Sequence, residues 1–243
     1  MRKLIKLIFI FLKNLVIISR PHILFGWFRN ISFLISNTIS LSKWISKQNK
    51  KNIYYHSSFF KRDYSKRYSL YNYIVENQKL DKQPFDYLEF GVCQAHSFRW
   101  WISNCKNENN NFFGFDTFEG LPENWGAFSK GDMKANIPQV NDSRTAFHKG
   151  LFQETLPLFI QSTNFNSNKR KVIHMDADLF SSTLYVLTSL APHLRKGDII
   201  IFDEFNVPNH EFLAYKIFTE SFYINMRLIG AVNNFFQAAF IIE

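Results

Sequence analysis

Only two cysteines, Cys93 and Cys105, occur among the 243 residues. They are too few for a structural zinc site, and their placement demands no disulfide, which fits a reducing cytoplasm. Acidic residues are missing from the N-terminal quarter. Residues 1–62 carry twelve Lys and Arg and no carboxylate, the first being Asp63. The other 17 bases face all 20 acids, so the formal charge of +9 resides in the N-terminus and the remainder is about −3. With the charge so confined, no nucleic-acid partner is expected. A long apolar run is missing as well. Met1 to Ile18 is interrupted by Lys3, Lys6 and Lys13, and the uncharged runs beside Lys13 fall well short of the roughly 18 to 20 residues of a spanning helix. No small-residue cleavage site follows, because the chain continues through Arg20, Pro21 and Arg29.

What the N-terminus does contain is basic and aromatic, with Trp27, Phe28 and Trp44 among its lysines and arginines. That is the composition of an element lying in a lipid headgroup layer. Residues 1–44 are therefore expected to meet an anionic surface, making the protein peripheral on the inner face of a membrane. The alternative is a helical extension packed on its own domain or on a second subunit of a homo-oligomer. Ser46 to Arg67 is polar, basic and without periodicity, and reads as a connection. The expected division is a basic, aromatic-rich helical extension over 1–62 and one main domain over 63–243. A hydrophobic content of 46% in a chain of this length suits a single core with an appendage.

From Asp86 onward, short strand-like runs alternate with helix-compatible stretches, the pattern of a parallel sheet with crossover helices. Strands are predicted at Tyr87 to Val92, Phe112 to Asp116, Lys171 to Asp176 and Asp198 to Asp203. The last three end in aspartate, and open α/β sheets bind ligands at the carboxyl ends of their strands. Ser182 to Leu194 and Asn209 to Tyr223 have helical spacing. Met226 to Val232 and Phe235 to Ile242 form a terminal hairpin turning at Asn233-Asn234.

The turn after the first strand (LEFGVCQAHS) holds one glycine, Gly91, where a full dinucleotide fingerprint would hold three. Asp116, 25 positions beyond Gly91, is placed to accept hydrogen bonds from a ribose. Asp176 and Asp178 follow one strand, and Asp203 and Glu204 another. Clustered carboxylates are costly unless paired or bound to a cation, and an oxygen-rich set suits a hard divalent ion such as Mg²⁺. The competing reading makes Asp178 and Glu204 caps of the helices that follow. His96, His148, His174 and His210 fall near the same crevice and rank below the carboxylates. Cys93 reads as a packing residue.

Taken in order, Leu88-Glu89-Phe90-Gly91-Val92, Gly114 to Glu123 (GFDTFEGLPE), Lys149 to Pro157 (KGLFQETLP), His174 to Thr183 (HMDADLFSST) and Phe202-Asp203-Glu204-Phe205 resemble the macrocin O-methyltransferase (TylF/MycF-type) family, from about Phe85 to the end. The resemblance implies an α/β fold, with a Rossmann-like, seven-stranded, mostly parallel sheet closed by the antiparallel hairpin. It makes 63–243 the methyltransferase domain, using S-adenosylmethionine and Mg²⁺ to methylate a hydroxyl of a sugar or glycan-like acceptor. By the same resemblance Glu89, Gly91 and Ser97 border the methionine part of the cofactor, Asp116 its ribose, and Phe152 and Gln153 its adenine. Asp176, Asp203 and Glu204 match the metal positions, and Asp176 or Asp178 is the catalytic base. Ala95-His96-Ser97 stands where the family has Gly-Gly-Ser. Two other readings compete: a metal-dependent glycosyltransferase using Asp176 and Asp178 as an Asp-x-Asp motif, and a non-catalytic, membrane-tethered module that binds S-adenosylmethionine.

Overall fold

The computed structural model describes all residues except 59, 163, 164 and 166–168. Two helices, α1 (Arg2–Ile18) and α2 (His22–Ser46), open the chain and meet at 103°. No residue of α1 is buried, whereas α2 buries Asn37 and Leu41. The C-terminal half of α2 is fixed to the main body by Trp44, whose ring lies 5.0 Å from Phe205, 5.6 Å from Tyr215 and 5.8 Å from Phe240. Asn37 Nδ2 adds a hydrogen bond to Asn209 Oδ1 at 2.8 Å.

The remaining elements are β1 (Tyr54–Tyr55), α3 (Lys66–Asn77), β2 (Phe85–Phe90), α4 (His96–Asn104), β3 (Asn111–Asp116), β4 (Thr145–Lys149), α5 (Phe152–Gln161), β5 (Arg170–Met175), α6 (Phe180–Leu190), β6 (Ile199–Phe202), α7 (Glu211–Phe222), β7 (Met226–Val232) and β8 (Gln237–Ile242). They build one sheet in the order β1-β7-β8-β6-β5-β2-β3-β4. Only β8 runs against its neighbours, β6 and β7. This is the expected Rossmann-like, mostly parallel sheet with an antiparallel C-terminal hairpin. The seven strands from β2 onward are joined by an eighth, the two-residue β1, which the sequence reading assigned to the connection. Tyr54 and Tyr55 pair with Gly230 and Ala231 and so cover the edge that β7 otherwise leaves open.

The central strands are buried on both faces because helices cover both sides; every residue of β2 and β6 is buried, Asp86 and Glu89 among them. On one side Phe202, Phe205, Phe240 and Met175 pack with α6, α7 and Leu41 of α2. On the other Tyr71, Tyr87, Phe98 and Trp101 pack α3 and α4. The hairpin turns at Asn233 and Asn234, with φ of 53° and 57°, values that asparagine tolerates better than most residues. Phe235 stays in the left-handed region at φ 65°, so β8 begins at Gln237, two residues later than the sequence pattern suggests. The predicted helix Ser182 to Leu194 is α6 followed by a 3-10 turn, Ala191–His193. Pro192 there has no N–H with which to continue an α-helix.

Candidate active site

The register of the parallel strands sets four strand ends in a row. Phe115, Phe90, Met175 and Phe202 are side-by-side partners across β3, β2, β5 and β6. The residues that follow, Asp116, Gly91, Asp176 and Asp203, therefore emerge together. The row is pinned by the Gly91 amide donating to Phe115 O, Asp176 to Phe90 O and Asp203 to Met175 O, each at 2.9 Å. It lies at the switch point: the chain builds outward from β2 to β3 and β4, then returns to build β5 and β6 on the other side. A cavity of about 440 Å³ opens there. Gly91, Asp116, Phe152, Gln153, Asp176, Asp178, Asp203 and Glu204 form much of its wall. Tyr64, Arg67, Leu121, Glu123 and Met133 also line it.

Gly91 is required where it stands. Its φ is +94°, and a Cβ would sit 1.8 Å from the backbone oxygen of Asp176. Two residues of the same turn, Cys93 and Ala95, also occupy the left-handed region, at φ of 46° and 60°. Asp116 holds this loop in place. Its Oδ2 accepts from the Cys93 amide and its Oδ1 from the Phe118 amide, both at 2.7 Å, so one carboxylate on the cavity wall organises the loops after β2 and β3.

The other acids are packed against one another. Burial, then the neighbouring Asp203 and Asp178, holds the Asp176 carboxyl well above its ordinary range. Burial, then Asp203 and Asp116, pushes Asp178 up to about 7. Burial, then Asp178 and Asp203, pushes Glu204 up to about 8, against the opposing pull of Arg62 and Arg67. Arg67 Nη2 lies 3.1 Å from Asp203 Oδ2. Burial, the largest single influence, disfavours the guanidinium charge, but Asp203 together with Tyr71, Asp176 and Tyr68 outweighs it and the Arg67 pKa is raised. Asp203 Oδ1 and Glu204 Oε2 are shielded from solvent and make no hydrogen bond. Mutually repelling carboxylates with unpartnered oxygens fit a hard divalent cation.

Among the described residues, the ligand atoms of His174, Asp176 and Asp203 lie within 4.8 Å of one another. Glu204 lines the cavity but stands outside that cluster. Both His174 ring nitrogens already face hydroxyls, Tyr87 at 2.8 Å and Tyr71 at 3.3 Å, which makes the carboxylates the better cation donors. Glu89 and Ser97 do not reach the cavity wall. They lie behind it, Ser97 Oγ donating to Glu89 Oε1 at 2.7 Å and the Tyr87 hydroxyl to Glu89 Oε2.

Neither Asp178 nor Glu204 caps a helix: the residues at the N-cap positions of α6 and α7 are Leu179 and His210, neither with a side-chain cap hydrogen bond. His210 Nδ1 instead accepts from the Phe180 amide at 3.3 Å. His148 stacks on Phe115 at 4.7 Å, and His96 pairs with Gln94. Arg67, Tyr64 and Glu211 carry no sequence signal for this site. Glu211 is fully buried, and its Oε2 accepts from the Glu204 amide at 2.8 Å. An acid in the first turn of a helix ordinarily reads as a complement to the helix dipole.

Residues 88–205 match the family model of a methyltransferase domain. The 8-demethyl-8-(2,3-dimethoxy-α-L-rhamnosyl)-tetracenomycin-C 4′-O-methyltransferase of Streptomyces olivaceus is 28% identical over 166 residues, covering 58% of this chain. The match spans 61% of that curated relative. Among solved structures, CalS11, a calicheamicin methyltransferase, superposes with a TM-score of 0.58 at 20% identity over 85% of this chain and 91% of its own. Its apo form, described as a TDP-rhamnose 3′-O-methyltransferase, gives 0.52 at 21% identity over 85% and 93%. The O-methyltransferase NovP gives 0.55 at 20% identity over 72% and 79%. The chain thus shares its fold with these O-methyltransferases and is related to a sugar-methylating one.

Proposed function

We propose that this chain is an S-adenosylmethionine-dependent O-methyltransferase which, with a divalent cation such as Mg²⁺, methylates a hydroxyl of a sugar or glycan-like acceptor. One observation carries the reading: a row of strand-end carboxylates around a cavity at the switch point, inside the segment that matches a methyltransferase domain. The sugar acceptor is favoured by the names of the tetracenomycin relative and of CalS11. The order of the motifs favours the macrocin-type branch, with 63–243 as the catalytic domain and 1–62 as its extension.

Asp116 accepts hydrogen bonds from the ribose hydroxyls, and Phe152 and Gln153 flank the adenine. Gly91 borders the methionine part, while Glu89 and Ser97 brace that turn from behind. Asp176, Asp203 and Glu204 hold the cation. S-adenosylmethionine supplies the methyl group, and the cation lowers the pKa of the acceptor hydroxyl. Asp178, or Asp176 beside it, takes the hydroxyl proton. At about 7, the Asp178 carboxyl is divided between its two forms at neutral pH, where a general base is most useful. Arg67 steadies the charge of Asp203.

The test is transfer of labelled methyl from S-adenosylmethionine to a panel of glycosylated acceptors. Transfer is expected with Mg²⁺, abolished by chelator, and reduced about a hundredfold or more in Asp178→Asn. No transfer, together with metal-dependent binding of a nucleotide sugar, would instead support the glycosyltransferase reading through Asp176 and Asp178.

A further inference from the structure

The most exposed apolar surface lies away from the cavity, on α1 and the first half of α2. Every residue from Met1 to Ser36 except Pro21 is exposed, including Phe9 at 71%, Phe11 at 65%, Leu24 at 70% and Trp27 at 72%. A contiguous apolar area of this kind marks an interaction surface. The charge on α1 is ordered. Arg2, Lys6 and Lys13 recur at i, i+4 and i+11 and share one face of the helix, and Lys3 lies beside them. Leu4, Ile8, Phe11 and Leu15, spaced by three and four, form the opposite stripe.

Three facts choose the occupant. No acid occurs before Asp63, so the surface offers only positive charge. A second copy packed stripe to stripe would turn both basic faces outward and leave them without a counter-charge, whereas anionic headgroups complement them. Finally, the 17 residues of α1 extend about 26 Å, short of the roughly 30 Å of a bilayer core, and no single helix among the described residues is long and apolar enough to cross one. The 103° bend sends α2 away from α1 toward the main body, where Trp44 and Asn37 fix it beside the loop that follows Glu204.

We propose that α1 lies in the headgroup layer of an anionic membrane, its apolar stripe inward and Arg2, Lys6 and Lys13 among the headgroups, with α2 as the post that joins it to the catalytic domain. This stands apart from methyl transfer, since none of these residues touches the cavity. The test is flotation of the full-length protein with vesicles of phosphatidylcholine, alone or mixed with phosphatidylglycerol. Binding is expected only to the mixed vesicles and is reversed by high salt. It should weaken about tenfold or more in Lys6→Glu/Lys13→Glu. That variant keeps the unfolding midpoint, because α1 contributes no buried residue. No flotation with the mixed vesicles would overturn the proposal. So would equal, salt-resistant binding to both vesicle types, which would mean insertion across the bilayer, and so would a stable dimer that hides α1 and ignores the vesicles.

Discussion

Burial beside Asp178 and Asp203 raises the Glu204 carboxyl to about 8, from an ordinary value of 4.5. The unfolded chain ionises this group near its ordinary value, so between about pH 4.5 and 8 the folded state holds a proton that the unfolded state has lost. Stability from this group is therefore lost as the pH rises through that window. Glu204→Gln removes the titration. The variant should gain on the wild type between pH 5 and pH 8.5, reaching on the order of 3 kcal/mol at the upper end. Chemical denaturation at both pH values reads the difference, and a gap that does not change with pH would contradict it. Added Mg²⁺ should narrow the gap by favouring the ionised wild-type carboxylate. Behind the cavity, Tyr87→Phe removes a hydroxyl that donates to buried Glu89 and faces His174. A loss of about 2 kcal/mol of stability is expected, and an unchanged unfolding midpoint would show that the network bears no load. The acids of the site were legible in the sequence because each follows an apolar strand pattern. Arg67, Tyr87 and Glu211 were not, because local spacing does not encode which helix face or strand residue turns toward a distant carboxylate.

Gly91 follows the end of β2, against the backbone of Asp176 just past the neighbouring β5, and its substitution is felt by the sheet rather than by one contact. Gly91→Ala adds a Cβ 1.8 Å from a backbone oxygen at a φ of +94°. A cost above about 4 kcal/mol is expected, seen as loss of soluble, cooperatively unfolding protein. Recovery of a variant with the wild-type midpoint would refute the packing described for this turn. Six strands and two helices of the main domain could be read from their patterns, with the turn at Asn233-Asn234, whereas β4, α3, α4 and α5 were given no range. The missed β1 is two residues long and exists only because β7 offers an edge. The shortened β8 depends on the left-handed Phe235, a conformation that hydropathy does not report. The strand ends gained most from the structure: three aspartates in sequence became one row only once the register placed Phe115, Phe90, Met175 and Phe202 side by side.

The molecule divides its charge and its apolar surface between two tasks. Near the cavity, acids gather around Arg67 in an arrangement that suits a cation; on α1, bases gather opposite an apolar stripe and no acid is near in sequence. Removing residues 1–21 should therefore leave the unfolding midpoint and cofactor affinity of the remainder unchanged while abolishing association with anionic vesicles. A truncated protein that unfolds at markedly lower temperature would show that α1 supports the fold. Under the proposed function, the cavity at the switch point holds S-adenosylmethionine with Asp116 on its ribose. Calorimetric titration of S-adenosylmethionine and S-adenosylhomocysteine, with and without Mg²⁺, tests it most directly when repeated on Asp116→Ala. Saturable binding by the wild type and its loss in the variant is the predicted result; no binding by the wild type, or undiminished binding by Asp116→Ala, would contradict the account.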